Sequence, residues 1–240
     1  MSRPAAVVGQ TPAMATPVVL VHGFGTSFEL TWVHNGWVDL LSDEGREVIG
    51  VDLLGHGDAP KPHDPVAYDD LGDRVRDALP DTPVDAIGFS MGAKTLLALA
   101  SEEPHRFRSL IVAGVGANLF RRGDHTAVVD AVRTGDDGGD PHLRYFAGLG
   151  DLPGNDREAL AACMAAGAGR SVGAEELATI TCPVLVVLGD QDFTKPADEL
   201  LAALPQATYV ELARTDHAKT PKSFDFIDAA LGFLRDQDAS

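Results

Sequence analysis

Cysteine is scarce in this chain: Cys163 and Cys182 are the only two among 240 residues. Two thiols do not make a disulfide framework, and both are read as reduced. No nucleophile motif surrounds either one. Cys182 directly precedes the apolar run Pro183-Val184-Leu185-Val186-Val187-Leu188, where packing is its expected role. Long hydrophobic runs are also missing, and no uninterrupted apolar segment approaches the about 20 residues needed to span a bilayer. At the N-terminus, Met1-Ser2-Arg3-Pro4-Ala5 carries one Arg, and Pro4, Gly9 and Pro12 interrupt any apolar core. No signal peptide is read there, and the cytoplasm is the expected location. Basic residues are outnumbered, with 19 Lys and Arg against 36 Asp and Glu, for a formal charge of -17. Such a surface repels nucleic acid and anionic membranes, so neither is an expected partner. The total says little about the substrate, because charge near one pocket can differ from it.

What is present is ordinary for a globular protein: 45% hydrophobic and 23% charged residues. The length fits one domain, or one domain with an inserted lid. Short β-branched runs alternate with helix-length amphipathic segments. Strands are expected at residues 18–21, 47–52, 84–89, 109–113, 183–188 and 208–212. Several are almost wholly apolar, as strands covered on both faces are. Helices are expected over Tyr68 to Leu79, Gly92 to Ser101, Lys195 to Leu204 and Ser223 to Arg235. This alternation implies an α/β fold, a mostly parallel sheet with helices on both faces. Residues 118–179 break it. They hold a Gly/Asp stretch, Gly135 to Asp140, and a small-residue segment, Ala159 to Gly169, but no clear strand. Residues 1–117 and 180–240 are therefore read as the core and 118–179 as a helical lid insertion.

Gly88-Phe89-Ser90-Met91-Gly92 fits G-x-S-x-G between an expected strand and an expected helix. The turn is so tight that side chains at Gly88 and Gly92 would collide with neighbouring backbone. The central serine is forced into a strained conformation that lifts its Oγ clear of the sheet. A serine hydroxyl is a weak nucleophile and needs a base. His217 is the candidate, because it follows the last strand and precedes the final helix. His22 and His56 sit against glycine in turns, and His34, His63, His105, His125 and His142 lie in polar surroundings. The base needs a carboxylate to fix its tautomer. Asp192 is favoured over Asp190 by motif position, which leaves Asp190 as a loop residue bonding local backbone. Oxyanion donors are expected at the backbone N–H of Met91, directly after the serine, and of Phe24, in His22-Gly23-Phe24-Gly25.

The chain resembles the α/β-hydrolase superfamily, in its compact lid-bearing branch of esterases and related enzymes. Four blocks carry the resemblance: His22 to Gly25, Asp52-Leu53-Leu54-Gly55-His56-Gly57, Gly88 to Gly92, and Gly189 to Asp192 together with His217. It implies a catalytic Ser90, Asp192 and His217, in that order, and a structural role for Asp52 and His56 in a loop near the site. His56, Asp58, His63 and Asp64 show no metal-ligand spacing, and neither metal nor cofactor is expected. Two positions depart from the family pattern. Asp58-Ala59 stands where serine is usual, and Asp216 stands where glycine commonly precedes the histidine. A carboxylate there either raises the basicity of His217 or faces solvent.

The expected activity is cleavage of a carboxylic ester or similar acyl bond, with a small ester-like molecule as the partner. Carbon–carbon bond, lactone and thioester hydrolysis use the same three residues and stay open. Ser90 argues against the Asp-nucleophile enzymes of this fold. The rival from another class is a non-catalytic small-molecule receptor on the same scaffold. Oligomeric state is not legible.

Overall fold

The computed structural model describes residues 15–121, 125–169 and 171–239. The N-terminal segment read as lacking a signal peptide lies outside them.

Six strands form one sheet: β1 (Val18–Val21), β2 (Val48–Val51), β3 (Val84–Phe89), β4 (Phe107–Ala113), β5 (Val184–Gly189) and β6 (Ala207–Leu212). Their order is β2-β1-β3-β4-β5-β6, and every pairing is parallel. All six lie where the apolar runs place them. The reason is burial on both faces. In β1, Val19 and Val21 join one core with Leu96, Leu97 and Leu200, while Val18 and Leu20 join another with Trp32, Trp37 and Phe226. The side-chain period of two thus feeds both layers, and no polar position is left in the strand. β2 and β6 are half-exposed, as edge strands with one free side are.

Helices α2 (Gly72–Ala78), α3 (Met91–Glu102), α7 (Ala174–Leu177) and α8 (Asp198–Ala203) contribute to the first core. α1 (Trp37–Asp43) and α9 (Phe224–Asp238) contribute to the second. Two expected helices are shorter than their periodicity suggested. Tyr68 closes a separate short turn, Pro65–Tyr68, and the Asp70 carboxylate accepts the Gly72 N–H, so α2 starts afresh at Gly72. It stops before Leu79, which is extended ahead of Pro80. α8 begins only at Asp198, because the Pro196 carbonyl is held by the Ala117 N–H, in the segment that follows β4. α1 carried no expectation at all.

Between β4 and β5 the chain forms α4 (Thr126–Thr134), α5 (Pro141–Leu149), α6 (Arg157–Ala165) and α7, with no strand among the described residues. The Gly/Asp stretch is the α4–α5 connection. Gly135 ends α4 at φ 78°, and Asp140 starts α5 by accepting the His142 N–H. α4 packs on α5 and α6, and α7 packs on α3 and α8. Among the described residues no helix is long and apolar enough to cross a membrane.

Candidate active site

The chain runs from β1 outward to β2, then returns to the other side of β1 for β3. The sheet therefore has a switch point between β1 and β3, where the loops at the carboxyl ends of the strands diverge and leave a crevice. Ser90 sits there, between β3 and α3. Its backbone has φ 53° and ψ -111°, a region that non-glycine residues avoid at a cost on the order of 1–3 kcal/mol. Its N–H is tied to the Ala113 carbonyl at 2.8 Å. The flanking glycines are sterically required. A Cβ on Gly88 would lie 2.7 Å from the Ala93 nitrogen, and one on Gly92 would lie 2.3 Å from the Val21 carbonyl oxygen. The close approach at Gly92 puts the first turn of α3 against the end of β1.

The two other expected residues converge on Ser90. The Ser90 hydroxyl donates to His217 Nε2 at 3.0 Å. On the far side of the ring, His217 Nδ1–H donates to both Asp192 oxygens, at 3.0 and 2.9 Å. These bonds require the tautomer protonated at Nδ1, with Nε2 free to accept. Asp192 and His217 are each 4% exposed. Burial pushes the Asp192 carboxyl up, but its hydrogen bonds from His217 and from the Thr194 N–H and hydroxyl outweigh this and hold it below the usual carboxylate range. The imidazole is also clamped on its faces. Phe89 and Phe193 lie 4.8 and 4.4 Å from its centroid, and the Tyr145 ring meets it at 87°. A Cβ on Gly114 would sit 3.0 Å from His217 Cε1.

Asp190 does not reach the histidine. Its carboxylate faces outward and accepts the Thr215 N–H at 3.0 Å. Asp216 is likewise accounted for. It starts the short helix His217–Lys222 by accepting the Lys219 N–H, and it pairs with the Lys219 ammonium at 2.7 Å. Its carboxylate therefore serves the helix end, and its side chain is partly open to solvent.

The Phe24 and Met91 N–H groups make no hydrogen bond among the described residues, and both residues line the cavity beside Ser90. Both donors are thus left free to meet an acceptor in the cavity. The loop that carries Phe24 is held from both ends. Neutral His22 donates from Nδ1 to the Gly23 carbonyl and accepts the Leu53 N–H at Nε2; burial keeps its pKa below the ordinary value. From the other side, the Asn155 amide donates to the Gly25 carbonyl at 2.7 Å. Gly25, at φ 68°, would press a Cβ into Leu149.

The Asp52 to Gly57 block is a brace. Asp52 accepts the Phe28 and Asp58 N–H groups, and His56 packs edge-on against Phe24. Burial and the neighbouring His22 push the His56 imidazole down to about 3. Neither side chain lines the cavity. Among the described residues no three His, Cys, Asp or Glu side chains cluster around a point that would hold a metal ion.

A cavity of about 780 Å³ opens over Ser90. Much of its wall comes from described residues between β4 and β5, including Leu119, Tyr145, Phe146, Leu149 and Met164. Phe120 packs into the core instead. Both thiols lie elsewhere in function: burial pushes Cys163 up to about 12 and Cys182 up to about 11, so neither is a thiolate nucleophile near neutral pH.

Residues 16–136 match the sequence model of a family described as the alpha/beta hydrolase fold. The chain belongs to that family. Among curated proteins, a pimeloyl-[acyl-carrier protein] methyl ester esterase of Neisseria meningitidis is 33% identical over 116 residues, covering 48% of this chain and 42% of the esterase. A 2-hydroxy-6-oxo-2,4-heptadienoate hydrolase of Pseudomonas putida is 33% identical over 115 residues, covering 45% of this chain and 40% of that enzyme. The match thus spans less than half the length of these relatives. Among solved structures, the enol-lactonase from Burkholderia xenovorans LB400 superposes with a TM-score of 0.74 at 23% identity, covering 95% of this chain and 94% of that one. At that identity the likeness is one of fold.

Within this alpha/beta hydrolase, motif reading missed four groups. Thr194 holds Asp192, Phe193 and Gly114 hold His217, and Lys94 lines the cavity one turn beyond Ser90. Thr194 and Phe193 directly follow Asp192 in sequence, and that adjacency was the available signal. Gly114 is a lone glycine after a strand, a pattern shared with many turns. Lys94 is the one basic residue in the Ala/Leu-rich α3.

Proposed function

We propose that this protein is a serine hydrolase that cleaves a carboxylic ester or similar acyl bond through an acyl-enzyme. The observation that carries the reading is the continuous hydrogen-bond chain from Ser90 through His217 to Asp192, beside two unpaired N–H donors. Ser90 Oγ attacks the carbonyl carbon while His217 Nε2 takes the hydroxyl proton. Nδ1–H stays on the ring and continues to donate to Asp192, whose negative charge stabilises the imidazolium. The carbonyl oxygen becomes an oxyanion held by the Phe24 and Met91 N–H groups, each such donor being worth on the order of 3 kcal/mol. Collapse expels the alcohol, which leaves with the proton from His217. Water then attacks the acyl carbon, giving its proton to Nε2, and the acid departs as Ser90 recovers its hydrogen.

Residues 118–179 act as the lid over the core built from residues 1–117 and 180–240. The support is the cavity wall they contribute above Ser90. A small ester-like molecule is the partner that fits a space of this size. Residues 122–124 and 170 of the lid, and 1–14 and 240 of the core, lie outside the described residues.

The test is turnover of p-nitrophenyl esters of increasing acyl length, with a thioester and a lactone alongside, by wild type and Ser90→Ala. Wild type is expected to turn over at least one ester, and Ser90→Ala to lose activity by a factor on the order of 10⁴ or more. Turnover confined to the thioester or the lactone redirects the bond class. Binding without turnover of anything favours the receptor, and full activity in Ser90→Ala removes the nucleophile.

A further inference from the structure

Lys94 lies one helical turn after Ser90, and its N–H donates to the Ser90 carbonyl at 3.0 Å. Residues four apart on a helix share a face, with Cβ atoms about 6 Å apart. The Lys94 side chain accordingly lines the same cavity as the Ser90 hydroxyl. It is half-buried, and it makes no hydrogen bond or ion pair among the described residues. Burial alone pulls its pKa below the ordinary lysine value.

This is an unusual place for a cation. A surface lysine extends its stem to water or pairs with a carboxylate, and a chain with 36 acidic side chains has many to offer. Here the ammonium is partly stripped of water and has no counter-charge among the described residues. Asp69 also lines the cavity but forms no ion pair with it. Leu119, Val128, Phe146 and Met164 supply apolar parts of the same wall. An anionic group entering the cavity finds two guanidinium or ammonium cations among the described residues of its wall, Lys94 and the exposed Arg121, and of these Lys94 is the one fixed a single helical turn from Ser90. The chemistry of that partner limits the ligand. Lys94 offers one compact positive charge beside the nucleophile turn, and Asp69 in the same wall offsets part of the cavity's positive charge and disfavours a dianion such as a phosphate monoester.

Resting on the hydrolase reading above, we infer that Lys94 is a specificity-determining residue that selects substrates bearing a carboxylate within a few bonds of the scissile carbonyl. The carboxylate occupies the place of the missing counter-ion. Its negative charge restores to the ammonium the stabilisation that burial removed.

Two matched pairs of esters test this, one on each side of the scissile bond. Mono-p-nitrophenyl glutarate is compared with p-nitrophenyl hexanoate, and p-acetoxybenzoate with p-tolyl acetate. In Lys94→Met the ratio of kcat/KM for the anionic member over its neutral partner is expected to fall about tenfold or more in at least one pair. Lys94→Arg should recover most of that ratio, since it keeps the charge. A merely structural lysine would lower both members of a pair together or leave both alone, and either outcome overturns the inference. Calorimetric binding of glutarate to Ser90→Ala and to Ser90→Ala/Lys94→Met separates this question from turnover. Weaker binding by about tenfold in the double variant upholds the anchor even if no ester is cleaved, in which case it is the hydrolase reading that fails. Equal binding to both, or none to either, removes the anchor.

Discussion

Gly92→Ala is a small perturbation with a large expected effect. Gly92 is the second residue of α3, at a helical backbone angle where alanine is normally better by about 1 kcal/mol. The objection is spatial. The added Cβ would lie 2.3 Å from the Val21 carbonyl oxygen and 2.5 Å from that of His22. An ordinary carbon–oxygen approach is about 3.3 Å, so helix and strand must separate by about 1 Å. Overpacking of this kind costs about 1–3 kcal/mol, which the helix propensity offsets in part. The net loss is about 1 kcal/mol, and Tm should fall by only about 2–4 °C. Catalysis is more exposed than stability. The same separation moves the Met91 N–H away from the Phe24 N–H, and a displacement of about 1 Å at a reacting site costs on the order of a hundredfold. Steady-state kinetics on whichever p-nitrophenyl ester the wild type prefers should show kcat reduced by that factor with KM little changed, while a thermal melt shows a folded protein. If kcat stays within about threefold of wild type, the proposed pairing of the two donors is wrong.

Two other substitutions probe different links in the same argument. Asp192→Asn keeps the shape but loses the charge that fixes the Nδ1–H tautomer, and kcat should fall by about 10³–10⁴. Because the Asp192 carboxyl is held below its usual range, the stability it contributes is fully present above the unfolded carboxyl pKa of about 3.9 and is lost as pH falls through the lower folded value. The Tm gap between wild type and Asp192→Asn should therefore be widest near neutral pH and close in strong acid; a gap that widens in acid would contradict the sign. Asp85→Asn tests a site remote from the chemistry. Asp85 is fully buried in β3 and binds Arg46 and Arg108, with Ser109 Oγ at 2.6 Å. Leaving two guanidinium groups without that charge should cost about 3 kcal/mol and lower Tm by about 6–12 °C, with kcat preserved. A change of less than about 1 °C would mean that Asp238 alone satisfies the arginines.

Much of this molecule was legible in the chain itself. Strands covered on both faces are mostly apolar, so β1 and β5 were visible as unbroken runs of Val and Leu, and the other four as short β-branched runs with few polar interruptions. The turn around Ser90 was visible because only glycine fits at Gly88 and Gly92, and glycines at fixed offsets around a serine leave a signature that survives in one dimension. Chain order then singled out Asp192 and His217. Local rules and the order of motifs along the chain determined all of this.

What the tertiary structure alone decided is where distant side chains meet. Asp190 and Asp192 differ by two positions, and only the fold turns one outward to the Thr215 N–H and the other inward to His217. Asp216 was ambiguous in sequence because its fate depended on whether a helix began there, and it does. The Asp85 cluster joins β3, β4 and the end of α9, and no periodicity records such a pairing. Lys94 reads as an unremarkable polar residue in a helix until the fold places it in the cavity wall with no counter-ion among the described residues. Spacing along a chain specifies local geometry, whereas burial and partnership are properties of the assembled core, and the selectivity proposed for this site rests on them.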